Sequence, residues 1–272
     1  MNSVGIMQGR LSPQVVAASQ KFPYEYWREE FARACRLGFD AIEWLYDSHR
    51  ETCNPLLSPE GRDEIRALCY EHKVSVNSVC AHAFIDGSLI NEESIALHSL
   101  SSLIDAACEL EIERIILPFL ETSSVTDFRQ WNEVFRRLGE FDERLRANGI
   151  LLLLETDIDA RMLGDLFDPR PNTTTRICYD VGNRTADGAD AAEEILSLGS
   201  LIAEIHIKDR PHGGPNVNLG LGDVDFDGVF RLCRMSGVPL ILETTVGGNW
   251  EAAAIANIGF VNEHMDRDPY VR

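Results

Sequence analysis

The chain has 272 residues, 44% of them hydrophobic and 25% charged, with a formal net charge of −19. That hydrophobic share supports a packed core and excludes a disordered acidic tail. The charge opposes non-specific nucleic-acid binding, which depends on counterion release by Lys and Arg, and no apolar run approaches the ~20 residues of a membrane span.

The first β-rich run, Val4–Met7, leads into Gly9-Arg10. An amphipathic stretch follows over Tyr26–Leu37, with Trp27, Phe31, Ala34 and Leu37 on one face, and Gly38 stands where a left-handed C-cap is wanted. A second strand is expected over Ala41–Trp44, then a helix over Pro59–His72 that starts with Ser58 as N-cap and Pro59 at its first position. Strand Val74–Val79, helix Glu92–Leu110, strand Arg114–Leu117 and a long helix over Phe128–Ala147 come next. The pattern continues with strand Ile150–Glu155, a short helix over Ile158–Phe167, strand Arg176–Asp180 and helix Asp190–Leu198. Strand Ala203–Ile207, helix Phe226–Met235, strand Pro239–Glu243 and helix Glu251–His264 complete it. Each strand is a mostly continuous apolar run, as parallel strands covered on both faces should be.

Eight βα units in ~250 residues are the arithmetic of an α/β fold of the (β/α)8 TIM barrel type, a single domain over residues 1–272. The rival is an open doubly wound sheet. A dinucleotide-binding version of that sheet needs a Gly-rich turn after the first strand, and the stretch from Gly5 to Leu11 lacks GxGxxG spacing. The seven cysteines are odd in number and lack CxxC spacing, so they read as small buried hydrophobes in a reducing compartment. The N-terminus shows no basic segment followed by an apolar one. A cytoplasmic protein is expected.

In a barrel the chemistry belongs at the C-terminal ends of the strands. Strands five to eight end on Glu155, Asp180, His206 and Glu243. Strand order in a barrel follows the sequence, so these four are expected as neighbours on one side of the mouth. A lone strand-end acid is usually a salt-bridge partner. Three acids and a His closing successive apolar strands suit one divalent metal ion instead: Mn²⁺, Mg²⁺, Co²⁺ or Zn²⁺. Without a cation the three carboxylates would raise one another's pKa values.

At these residues the sequence resembles the xylose isomerase-like TIM barrels of the sugar-phosphate isomerase/epimerase group. The resemblance rests on Gly5–Ser12, on Leu37–Trp44, on Tyr179-Asp180-Val181-Gly182-Asn183, on His206-Ile207-Lys208-Asp209, and on the Gly-x-Gly-Asp-x-Asp-Phe segment Gly220–Phe226. It implies that Glu155, Asp180, His206 and Glu243 bind the metal, with Glu155 and Glu243 as the acid/base pair. The implied activity is a metal-dependent epimerase or isomerase of a ketose or its phosphate, moving a proton through a metal-stabilised enediolate. The resemblance implies a small sugar partner, with no nucleic acid and no membrane. Homo-oligomers, dimers or tetramers, are common in the group, and the oligomeric state here is open.

Three positions depart from the sugar epimerases. Asn183 stands where they often carry His, His212 where they often carry Arg, and Leu221 where they often carry Glu. These loops shape the substrate pocket, so the resemblance specifies the metal more closely than the sugar. Apurinic-site endonucleases on this barrel use more histidines; Asn183, the His-free end of strand four and the charge of −19 all set that branch aside. Remaining candidates for substrate contact are Lys208 and Arg210, which can hold a phosphate or pair with neighbouring carboxylates; His82, beyond strand three; and Glu43, which can orient a ligand or close a hydrogen-bond network. Trp44, Phe84, Phe119 and Trp250 are either an apolar wall for a sugar or ordinary packing, and Arg10 either binds an anion or makes a salt bridge. Two other functions compete: a metal-dependent dehydratase of an inositol-derived ketone, and a catalytically silent carbohydrate-binding barrel.

Overall fold

Eight parallel strands close on themselves in chain order, each paired with its sequence neighbours and β1 with β8. The computed structural model describes residues 2–13, 21–47, 53–86, 89, 93–244 and 249–265. The strands are β1 (Val4–Met7), β2 (Ala41–Leu45), β3 (Ser75–Cys80), β4 (Arg114–Phe119), β5 (Leu151–Thr156), β6 (Thr175–Asp180), β7 (Ile202–Ile207) and β8 (Leu240–Leu242). Closure leaves no sheet edge and makes the fold a TIM barrel of one domain.

The helices pack outside it. They are α1 (Trp27–Leu37), α2 (Pro59–His72), α3 (Ala83–Asp86), α4 (Glu93–Leu110), α5 (Phe128–Gly139), α6 (Asp142–Asn148), α7 (Ala160–Phe167), α8 (Val181–Ala186), α9 (Ala191–Leu198), α10 (Phe226–Ser236) and α11 (Trp250–Met265). Local chemistry starts and stops them. Ser58 Oγ accepts from the Gly61 N–H at the head of α2, and Gly38 takes φ 84° past the end of α1, its N–H returning to the Ala34 and Cys35 carbonyls. The single helix expected over residues 128–147 is two, because the chain turns at Glu140 and Phe141 after Gly139 and seats Phe141 against the core. The short helices α3 and α8 were not expected.

The main apolar cluster lies between the barrel and the helices. Trp44 packs there against Phe22 and Trp27, at ring-centroid distances of 5.1 and 5.5 Å, and its indole N–H donates to Asn54. Phe119 lies 4.9 Å from Trp131 of α5, the two rings tilted by 55°, and Arg33 lies over Trp250. These aromatics have structural partners outside the strands. A second, small apolar cluster joins Ile116, Leu153 and Cys178, one each from β4, β5 and β6. At the other end of β1 the barrel is narrow, since a Cβ on Gly5 would come within 2.6 Å of Ile241 Cδ1. The reading of the cysteines as small buried hydrophobes holds for Cys80, Cys178 and Cys233, while Cys69 and Cys108 are half-buried and Cys35 and Cys53 exposed; Cys35 lies on the polar side of α1. Among the described residues no helix is long and apolar enough to cross a membrane.

The loop after β1 is held from below by one acid. Glu30, buried on α1, accepts the N–H groups of Gly9 and Leu11 and the Ser12 hydroxyl. Burial pushes its carboxyl up to about 7, against the pull of those donors. The folded chain therefore keeps a proton there that the unfolded chain releases near its ordinary carboxylate pKa. This contribution to stability is full below that value and is lost as pH rises through about 7. Glu30→Gln cannot titrate, so its melting temperature should gain on the wild type between pH 4.5 and pH 7.5. A gap in melting temperature that stays constant over this range would show that Glu30 keeps its ordinary pKa.

Candidate metal centre

Four strand ends converge at the C-terminal mouth. Ligand atoms of Glu155, Asp180, His206 and Glu243 all lie within 4.8 Å of one another, and all four residues are buried. Register explains the meeting: Asp180 pairs with His206 across β6 and β7, and Glu155 lies on β5, the strand hydrogen-bonded to β6. Glu243 follows the last residue of β8, with its backbone N–H on the Ile207 carbonyl. Asp180 does double duty: its Oδ1 caps α8 by accepting the Asn183 N–H at 2.8 Å, which turns Oδ2 to the cluster.

His206 Nδ1 is 3.0 Å from Glu243 Oε2 and 3.7 Å from Glu155 Oε1. Lys208 Nζ stands 2.6 Å from Asp180 Oδ2 and 3.3 Å from Glu243 Oε2. Arg10 approaches Glu243 Oε1 at 4.0 Å, so its salt-bridge reading fits the structure.

Electrostatics separate the acids. Burial pushes the Asp180 carboxyl up to about 6, with Lys208 opposing that rise and Glu243 adding to it. Glu243 goes the other way. Burial would raise it, but Lys208, His206 and Arg10 outweigh burial and hold it well below the ordinary carboxylate range. Burial works against a charged His206; the acidic groups around it, Cys178 and Glu43 foremost, reverse this and raise its pKa well above normal. Lys208 is likewise raised, because Asp180, Glu243 and Glu155 outweigh its burial. The donor set fits a divalent cation: three carboxylate groups and one imidazole, withdrawn from water and facing one point.

The other sequence candidates fall in different places. Arg210 donates to Asn183 Oδ1 at 2.9 Å and to the Gly214 carbonyl through Nε and Nη2, so this pair forms one unit beside the mouth. His212 meets the Thr185 carbonyl through Nδ1. Lys208 pairs with the cluster's own acids and not with Asp209. Asp209 instead organises the loop after β7, accepting the N–H groups of Gly220, Gly222 and Val224. His82 is half-buried at the start of α3, and no hydrogen bond or ion pair joins its side chain to the cluster among the described residues. Glu43 is fully buried and faces His206 from below, leaving it no surface for a substrate.

Sequence reasoning missed Glu204 and Arg114. Both are buried inside the barrel, with Arg114 Nε donating to Glu204 Oε2 at 2.8 Å. The signal was available, because Glu204 lies two residues before His206 on one strand, and such residues share a face.

A closed parallel barrel with a buried carboxylate–imidazole cluster at its C-terminal mouth defines a barrel with a candidate metal centre. The family model for the xylose isomerase-like TIM barrel matches residues 31–264, and the chain belongs to that family. Among curated proteins, none matches this sequence. Solved structures share the fold. The chain is similar to D-allulose 3-epimerase from Methylomonas sp. in complex with D-allulose, at 16% identity and TM-score 0.72, covering 97% of each chain. It is similar to a probable 3-DHS dehydratase from Bacillus anthracis, at 16% identity and TM-score 0.73, covering 96% of this chain and 98% of that one. A xylose isomerase-like TIM barrel protein from Mycobacterium smegmatis in complex with magnesium aligns at 16% identity and TM-score 0.70, over 96% of each chain. At these identities the likeness is one of fold.

Proposed function

We propose that the chain is a metal-dependent epimerase or isomerase of a ketose or ketose phosphate, with Glu155 and Glu243 as the acid/base pair. The observation that carries this reading is the placement of two carboxylates, from β5 and from the end of β8, around one imidazole nitrogen, at 3.7 and 3.0 Å. Glu155, Asp180, His206 and Glu243 would hold one divalent ion, which supplies Lewis-acid polarisation of a bound carbonyl.

The chain's own residues then have distinct tasks. Glu243, held ionised by Lys208 and His206, accepts the proton from the carbon next to the substrate carbonyl. Glu155 delivers a proton to the opposite face of that carbon, which inverts it. Removal and delivery on one face between neighbouring carbons would instead exchange aldose and ketose. Lys208, held by Asp180 and Glu243, would donate to a substrate oxygen at the reacting end. Asn183 and Arg210, joined beside the mouth, with His212 and, from the β3 side, His82, are the other candidates for contact with the sugar.

A screen of ketoses, each with and without phosphate and supplemented with Mn²⁺, Mg²⁺, Co²⁺ or Zn²⁺ in D₂O, tests the proposal by NMR. Deuterium gained at the inverted carbon with no loss of water is the expected result. A dione or enone product would assign dehydration instead. No turnover of any sugar with any of the four ions would sink the enzymatic reading.

A further inference from the structure

Beneath the candidate metal centre the barrel interior is charged, and the proposed chemistry uses none of it. Register sets Glu43 of β2 beside Ser78 of β3, and Ser78 beside Arg114 of β4. On β7, alternation turns Glu204 to the same inner side as His206. The two glutamates meet under the imidazole: His206 Nε2 is 3.1 Å from Glu43 Oε1 and 3.7 Å from Glu204 Oε1.

The other oxygen of each glutamate is already held. Ser78 Oγ donates to Glu43 Oε2 at 2.8 Å, and Arg114 Nε donates to Glu204 Oε2 at 2.8 Å. Both glutamates have 0% of their surface exposed. Glu43 Oε1, Glu204 Oε1 and His206 Nε2 are therefore three buried polar atoms without a hydrogen bond of ideal geometry, and they face one another. Leaving such atoms unmatched is costly. A ring N–H at Nε2 can satisfy the arrangement by pointing at these two oxygens.

We infer that Glu43 and Glu204 are positioning residues, whose inner oxygens hold His206 by its Nε2–H and so present Nδ1 to Glu155, Asp180 and Glu243. A neutral imidazole has one N–H and one lone pair. Fixing the N–H below puts the lone pair at the mouth, where a metal ion would take it, and the Glu204 carboxylate beneath, ion-paired with Arg114, makes that nitrogen a stronger donor. Ser78 and Arg114 keep the two acids from turning away, and Arg114 offsets the charge of Glu204. Neither glutamate touches substrate. The consequence for metal affinity rests on the metal reading above; the orientation of the ring does not.

Two measurements test the two parts separately. In the first, Mn²⁺ is titrated calorimetrically into the wild type, Glu43→Gln, Glu43→Leu and Glu204→Gln. The expected order is graded: Glu43→Gln keeps an acceptor and weakens binding severalfold, whereas Glu43→Leu keeps bulk but no acceptor and weakens it roughly 10–100-fold. A role in packing alone would lower the melting temperature without this order. In the second, NMR of metal-free, ¹⁵N-histidine-labelled protein follows the His206 Nε2–H, expected far downfield and slow to exchange in the wild type, and shifted upfield in both Glu43 variants. Should Glu43→Leu not fold, Glu43→Gln and Glu204→Gln carry both measurements. Wild type that takes up no Mn²⁺ overturns the metal reading while the ring proton still decides the orientation. Wild type that binds Mn²⁺ with all variants within twofold overturns the positioning role, as does an Nε2–H resonance indifferent to Glu43. A second Mn²⁺ equivalent that disappears in Glu204→Gln also overturns it, since Cys178, Glu204 and His206 would then hold an ion where the proton is placed.

Discussion

Glu155→Gln and Glu243→Gln should each lower kcat by roughly 10²–10⁴-fold on whichever sugar the screen identifies, the usual worth of a positioned acid or base, and the double variant should fall below detection. Glutamine keeps the shape and one acceptor oxygen but cannot carry the proton. The two residues approach His206 Nδ1 from different strands, so neither can stand in for the other on the opposite face of a bound carbon. Assays at saturating metal separate a lost proton transfer, which falls in kcat, from a weakened ion. Full activity in the double variant would remove both residues from the acid/base role.

The second large effect is on stability. An ion at about 100 times its dissociation constant contributes about 2.7 kcal/mol, and with roughly 2–4 °C per kcal/mol for a large domain the melting temperature should rise by about 5–11 °C. Asp180→Asn and His206→Ala should abolish the rise, and a chelator should reverse it in the wild type. The same uptake depends on pH with a definite sign. Asp180, pushed up to about 6, and His206, raised well above its normal value, must both give up protons before they can bind an ion. Affinity therefore strengthens as pH rises from 5.5 to 8, with protons released on binding. No thermal shift from any of the four ions, or tighter binding at pH 5.5 than at pH 8, would contradict the assignment of these residues as ligands.

Much of this centre was legible before any coordinates. A barrel keeps strands in sequence order, so acids and a histidine at the ends of four successive apolar runs had to be neighbours, and their ligand atoms do lie within 4.8 Å of one another. The same logic failed for Trp44 and Phe119, which lie near strand ends but have their partners outside the barrel. Parity decides this: with Glu43 inward, Trp44 must face the helices. The long helix over residues 128–147 also read as continuous, because its amphipathic pattern gives no sign that the chain turns at Glu140 and Phe141 and packs Phe141 against the core.

Sequence alone thus determined the parallel barrel, its single domain and the four polar strand ends, because each follows from local pattern plus chain order. Tertiary structure alone decided which charges meet across the barrel. Lys208 reaches Asp180 and Glu243 rather than its neighbour Asp209. Asp209 spends its oxygens on the loop from Gly220 to Val224. Arg114 on β4 meets Glu204 on β7, and Glu43 on β2 meets His206. Those pairings depend on shear and register, which bring residues up to 163 positions apart within about 3 Å, and no spacing along one strand records them.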